Sequence, residues 1–227
     1  MIAIGSLDIG NGARLRRATP ADVDALIEIK RGLPMPRAEQ TSEGGFLLGS
    51  ELETYRALLE VARVWLLEVE HRVVGFAMTL DDPVLRQSPV WARRDAIVWA
   101  PSFDVEAALA RRITYFDQLG VLPAFRHRYW GAALALRALA EQFDEAGHDL
   151  ALTTTVIEPI INRAALPYLA RVGARELGRV NEHYPGVGSI VSAVHVIEAS
   201  CYRERIAALV DTGHPATQRI MQATPGP

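Results

Sequence analysis

Hydrophobic and polar positions along the chain divide it into alternating strand-like and helix-like stretches. Residues 13–18 alternate and predict a short strand. At Thr19-Pro20-Ala21-Asp22, a capping residue, a proline suited to a first helical position and an acid at the positive helix end predict a helix start. Leu26 and Ile29 continue that helix, and Gly32 with Pro34 stops it. A second helix is expected from Ser50 to about Ala62, with Leu52, Tyr55, Leu58 and Leu59 on one face. Residues 64–70 and 73–80 predict a hairpin turning at His71-Arg72. Residues 81–112 contain Pro83, Pro89 and Pro101 and read as irregular, with a short helix near 105–112. A strand at 113–121 ends at Pro123. A strong helix follows over 130–146, its stripe formed by Ala132, Leu136, Leu139, Ala140 and Phe143, and Gly147 ends it. A strand at 150–157, a helix at 163–172 and a strand pair at 176–184 and 189–197 close the pattern. After Ser200 a short helix at 202–210 precedes a mobile Gly/Pro-rich tail. No internal repeat is present. One α+β domain is expected over 13–198, with an insertion at 81–112 and a C-terminal tail at 199–227.

Composition narrows the classes. A hydrophobic fraction of 49%, a charged fraction of 22% and a net charge of −3 suit a soluble globular protein and give no large nucleic-acid footprint. No apolar run approaches the roughly 20 residues of a membrane span, and the N-terminus lacks the pattern of a secretory signal. A single cysteine, Cys201, excludes an intrachain disulfide and fits the cytoplasm. The six histidines show no metal-ligand spacing, so no metal is expected. Gly44-x-x-x-x-Gly49-Ser50 lacks the lysine of a phosphate-binding P-loop.

The informative stretch is LGVLPAFRHRYWGAALALRAL, Leu119 to Leu139. A strand runs into a proline, then a basic loop, then a helix opening on Gly131 and Ala132. A helix start offers backbone N–H groups and about half a positive charge to a phosphate. The small Gly131 and Ala132 permit close approach, and Arg126, His127 and Arg128 supply further donors.

This run resembles the signature of the GNAT superfamily of N-acyltransferases, whose pyrophosphate loop reads Gln/Arg-x-x-Gly-x-Gly/Ala behind a Val-x-Pro strand end. Val121-Leu122-Pro123 matches the strand end, and Arg126-x-x-Tyr129-x-Gly131 the loop, with Tyr129 in the first glycine position. Asn162-x-x-Ala165, followed by Gly173, resembles a second patch of the family. The order of elements agrees from about residue 13 to 197. The resemblance implies a GNAT-like central mixed, mostly antiparallel sheet flanked by helices on both faces. It implies acetyl-CoA as co-substrate and a small-molecule or peptide primary amine as acceptor, acetylated by direct attack. A non-catalytic acyl-CoA-binding or sensor protein on the same fold is the alternative. Nucleic acid and membrane are not expected as partners, and a homodimer is left open.

By the same resemblance, Leu119, Gly120 and Val121 present backbone N–H groups to the thioester and pantetheine. Arg126, His127, Arg128, Tyr129, Trp130, Gly131 and Ala132 surround the pyrophosphate, and Asn162 faces coenzyme A. Alternation places Ile113, Tyr115, Asp117, Leu119 and Val121 on one strand face. On that face Tyr115 takes the position of the glutamate base of histone-type members, and Asp117 is the only carboxylate. The base is therefore Asp117, Tyr115 or water. The family's tyrosine acid maps to Leu169, one residue after Tyr168, so a role for Tyr168 requires Pro167 to kink its helix. Residues 81–112 and a mobile loop at Gly44–Gly49 would shape the acceptor site. The mixed charges of 81–112 select neither a cationic nor an anionic acceptor.

Overall fold

The hairpin expected near His71 forms from β3 (Arg63–Val69) and β4 (Arg72–Leu80). Its turn residues Glu70 and His71 both have positive φ, 49° and 66°, the conformation that a tight right-twisted hairpin demands. The computed structural model describes residues 6–35, 42, 45, 47, 51–184, 187–213 and 215–222; the side chains of 127, 128 and 216 lie outside that description. Gly44, Gly49 and Ser50, including most of the loop expected over the acceptor site, also lie outside it.

β4 reads Val-Val-Gly-Phe-Ala-Met-Thr-Leu after its first residue and is buried from Val74 to Leu80, as a strand covered on both faces must be. Around it runs one nine-stranded sheet in the order β1-β2-β3-β4-β6-β7-β9-β8-β5. The strands are β1 (Ser6–Gly10), β2 (Ala13–Arg17), β5 (Val98–Trp99), β6 (Ile113–Val121), β7 (Leu150–Glu158), β8 (Arg175–Tyr184) and β9 (Gly188–Glu198). Every neighbouring pair is antiparallel except β6 and β7. The mixed, mostly antiparallel sheet is therefore as expected. β1 and β5 were not foreseen.

Helices α1 (Val23–Arg31) and α2 (Leu52–Val61) cover one face. Ile29 and Leu33 press on Gly120 of β6, and Tyr55 packs edge-on against Phe76, 5.9 Å between ring centres. Three short helices of the 81–112 segment, α3 (Asp82–Arg86), α4 (Pro89–Ala92) and α5 (Val105–Leu109), follow β4. Leu85, Val90 and Trp91 share a small cavity with Tyr115, Leu152 and Val194, so this segment covers the same face over β6, β7 and β9. It is pinned: Asp82 accepts from the Ile113 N–H at 2.9 Å, and Arg86 donates to the carbonyls of Leu109 and Arg111.

The opposite face carries α6 (Trp130–Ala140), continued to Glu145 by a wider π turn. Gln142 donates to the Thr79 hydroxyl at 2.6 Å, and Trp65 donates to Glu141 at 2.7 Å. α7 (Leu166–Arg171) and α8 (Ala199–Asp211) lie on this side, where Tyr202 donates to the Leu136 carbonyl at 3.3 Å. The segment expected to be a mobile tail contains a further helix, α9 (Pro215–Gln222), which packs on α6 and β1 and buries Ile220. Among the described residues no helix is long and apolar enough to cross a membrane.

Candidate active site

β6 carries an irregularity that strict alternation does not reveal. Opposite β4, Leu119 pairs with Ala77 and Gln118 with Met78, but the next pair is Phe116 with Thr79. Asp117 is thus the extra residue of a bulge. Side chains paired across an antiparallel ladder share a face, so Tyr115, Gln118 and Gly120 lie with Leu80, Met78 and Phe76 under α1 and α2. Phe116, Leu119 and Val121 lie with Thr79, Ala77 and Gly75 under α6. The expected single face of Ile113, Tyr115, Asp117, Leu119 and Val121 is therefore corrected: the bulge separates Tyr115 from Leu119 and Val121.

On its other side β6 pairs with β7 for only three residues, Ile113–Tyr115 against Leu150–Leu152. Beyond that point the two strands part, although β6 continues to Val121 and β7 to Glu158. Leu122 donates its N–H to the Val74 carbonyl at 2.8 Å. Counting back by twos, Gly120 also turns toward β4, while the N–H groups of Leu119 and Val121 face the gap. Of the three residues expected to supply donors, two aim theirs into the opening.

The end of β6 leads into a 3-10 turn over Pro123–Arg128 and then α6. Arg126 reaches back toward the Val121 carbonyl, Nε to O 3.4 Å. Tyr129, in the family's glycine position, has φ 59° and adopts the left-handed conformation that a glycine would take without strain. The first bond of α6 runs from the Ala133 N–H to the Tyr129 carbonyl at 3.1 Å, so the helix offers no carbonyl to the N–H groups of Gly131 and Ala132. Trp130 turns inward, 4% exposed and stacked on Phe125, so its side chain belongs to the core rather than to a ligand surface.

Tyr168 reaches this helix start. A Cβ built on Gly131 would lie 2.9 Å from the Tyr168 hydroxyl oxygen and 3.4 Å from Val121 Cγ2. The expected kink at Pro167 is not the cause. α7 begins only at Leu166, and Pro167 sits in its first turn, where a missing N–H costs nothing. Burial pushes the Tyr168 hydroxyl above its ordinary pKa, opposed by Arg171 and Arg126, so it stays protonated at neutral pH. Asn162 precedes α7; its N–H donates to the Val156 carbonyl at 2.8 Å, while its side-chain Oδ1 is buried with no partner. A buried carbonyl left unpaired is costly, and here it awaits a donor.

On the opposite face of the sheet, Asp117 is half-buried, and loss of hydration pushes its pKa up to about 6, opposed by Gln118 and the charge of Arg93. Gln118 Nε2 donates to Asp117 Oδ2 at 3.2 Å. Tyr115 is buried with its hydroxyl 2.9 Å from Thr154 Oγ1, and burial raises its pKa first, Asp117 second. A phenol so held resists the ionisation that a base would need. Arg93, from the turn after α4, crosses to β8 and pairs with Glu182 at 3.0 Å. Glu182 also accepts from Tyr184 at 3.1 Å and Ser192 at 2.7 Å. Neither Arg93 nor Glu182 was singled out by sequence, because their meeting depends on 81–112 folding back over β8. The cavity beside them is small, about 50 Å³, and mostly apolar. Among the described residues no group of three His, Cys, Asp or Glu side chains is placed to hold a metal ion.

No protein-family model matches the sequence, and no curated protein matches it. Solved structures do match. Arabidopsis thaliana NAA60 in complex with acetyl-CoA superposes with TM-score 0.54 at 16% identity, covering 82% of this chain and 99% of that one. Ribosomal-protein-alanine N-acetyltransferase from Brucella melitensis gives 0.52 at 16%, covering 81% and 98%. Mutant forms of the spermidine/spermine N-acetyltransferase SpeG from Vibrio cholerae give 0.56 at 14%, covering 86% and 99%. The chain has the GNAT fold. The parting of β6 from β7 and the Gly131 helix start, against which the Tyr168 hydroxyl rests, both lie at the C-terminal end of β6. The bulge at Asp117 lies two residues past the last pairing of β6 with β7.

Proposed function

We propose that the protein is an N-acetyltransferase that moves an acetyl group from acetyl-CoA to a primary amine by direct attack. The observation that carries this reading is the parting of β6 from β7 beside a helix start held open by a glycine. In that groove the Leu119 and Val121 N–H groups would donate to the thioester and the amide-rich pantetheine. The orphaned Asn162 Oδ1 would accept one of its amide protons. The Gly131 and Ala132 N–H groups, with Arg126, His127 and Arg128, would hold the pyrophosphate, and the backbone of Tyr129 and Trp130 sets the turn between them. Backbone donors at the end of β6 and the start of α6, together with one buried acceptor, support this reading.

The chemistry then follows from the two faces. The amine enters from the α1/α2 side and gives up a proton to Asp117, directly or through one water. Its nitrogen forms a bond to the thioester carbon while the backbone donors of β6 take up the charge growing on the oxygen. The carbon–sulfur bond breaks, and Tyr168 gives its hydroxyl proton to the departing thiolate. Asp117 suits this role because a base works best with its pKa near the operating pH. Tyr115 is assigned a packing role instead, since its hydroxyl is committed to Thr154. Residues 81–112 wall the acceptor side. The lone Cys201 supports a reducing cytoplasm.

The test is an amine panel with acetyl-CoA, reading free thiol and acetylated product together. Release of thiol in step with product upholds the transferase. Calorimetric binding of acetyl-CoA with no turnover across peptide, polyamine and amino-acid acceptors would instead support the acyl-CoA-binding alternative.

A further inference from the structure

Adjacent residues of a regular strand point to opposite faces and do not touch through their side chains. Asp117 and Gln118 do touch, because the bulge turns both toward the α1/α2 side. Gln118 is buried, and its amide is held in one orientation. The hydroxyl of Tyr55, on α2 and completely buried, donates to Gln118 Oε1 at 2.6 Å. That bond leaves Nε2 as the end facing Asp117, where it donates to Oδ2 at 3.2 Å. An unheld glutamine could equally present its oxygen, which would repel a carboxylate. We propose that Tyr55 and Gln118 form a positioning relay that sets the direction of the Asp117 carboxylate and keeps a donor, rather than an oxygen, against it. The relay rests on the reading of Asp117 as base for its use in catalysis, but its geometry stands without it.

Among the described residues, the other charged or titratable groups that act on or feel Asp117 are Arg93, from the turn after α4, and Tyr115 on β6 itself. Arg93 favours the ionised carboxylate and is held by Glu182; Tyr115 stays neutral. Neither orients a specific carboxylate oxygen in the way Gln118 does. The relay also ties the proposed base to α2, 63 positions away from Gln118 in sequence, so a shift of α2 would be felt at the carboxylate.

The experiment is a 13C carboxyl titration of the full chain labelled at aspartate, with the Asp117 resonance assigned by its loss in Asp117→Asn. Gln118→Leu should make Asp117 about tenfold harder to ionise, the effect of losing one hydrogen bond to the charged form. Tyr55→Phe keeps the ring against Phe76 but releases the amide, and should raise the same midpoint by roughly threefold in proton affinity. The acidic limb of the kcat/KM profile should move with it in both variants, and in the Asp117→Asn background, which lacks that limb, neither substitution should restore one. An Asp117 midpoint unchanged in folded Tyr55→Phe and Gln118→Leu overturns the relay; if Gln118→Leu does not fold, Tyr55→Phe alone decides. A midpoint that moves while the rate profile stays fixed upholds the relay and removes Asp117 as base.

Discussion

Adding one methyl group at Gly131 separates the position of Tyr168 from the integrity of the fold. In Gly131→Ala the new Cβ would stand 2.9 Å from the Tyr168 hydroxyl oxygen, where ordinary contact begins at 3.4 Å, so the hydroxyl must retreat by about 0.5 Å. It is the far end of a side chain on a short helix, so retreat costs little stability. Alanine also favours the helix by up to about 1 kcal/mol, less in a first turn, so the net change should stay within about 1 kcal/mol. Catalysis is less forgiving. A misplacement of 1 Å can cost about 10²-fold, so half that distance should lower kcat roughly tenfold, about 1.4 kcal/mol of barrier. Tyr168→Phe should cost more, ~10²–10⁴-fold, as removal of a general acid does. The two losses should not multiply, because the methyl acts through a hydroxyl that the phenylalanine lacks. Steady-state kcat of both single variants and the double variant, beside thermal melts and coenzyme A calorimetry, supplies the cycle. If Gly131→Ala keeps parental kcat, or if its loss multiplies with that of Tyr168→Phe, the hydroxyl does not act from the place proposed for it.

Three further outcomes follow from the same site. Asp117→Asn should abolish the acidic limb near pH 6 and, because burial raises the folded-state pKa of this acid, should stabilise the protein above that pH by about 1–2 kcal/mol after solvent screening; the gain should fade between pH 6 and 4, which urea unfolding at several pH values would show or deny. Asn162→Ala removes a buried oxygen that has no partner, so it should leave stability level or raised yet weaken coenzyme A binding about tenfold; calorimetry showing unchanged affinity would free Asn162 of that role. Tyr129→Gly should stabilise the chain by about 1 kcal/mol by relieving a left-handed tyrosine, and an unchanged denaturation midpoint would mean that the side chain compensates for its strain.

The strand, turn and helix around Gly131 were legible because their signals are local. Val121-x-Pro123, the glycine at 131 and the apolar stripe of α6 each follow from neighbouring residues, and the strand, turn and helix fell within a residue or two of expectation. What stayed hidden depends on partners distant in sequence. The bulge at Asp117 exists only relative to β4, so counting along β6 put Tyr115 and Leu119 together when the ladder separates them. Helix phase and Pro167 say nothing of what Tyr168 meets, and its hydroxyl lies against Gly131, on a helix far away in sequence. β5 is two residues long and is defined by β8, and β1 by the glycine-flanked turn to β2; neither carries a pattern long enough to read alone.

The three-residue ladder between β6 and β7 has a mechanical consequence. A sheet that parts in its middle has two strand edges inside the molecule, each presenting backbone groups with no neighbouring strand. Outer edges of that kind invite other chains to pair with them, but here α6 and α7 lie on one side and the 81–112 segment on the other. An extended ligand with amides of its own would serve as a tenth strand, clamping the β1–β4–β6 half of the sheet to the β7–β9–β8 half. The seam should therefore be the first part of the sheet to open under load or heat, and amide exchange along Leu119–Val121 and Thr153–Val156 should slow markedly once it is occupied.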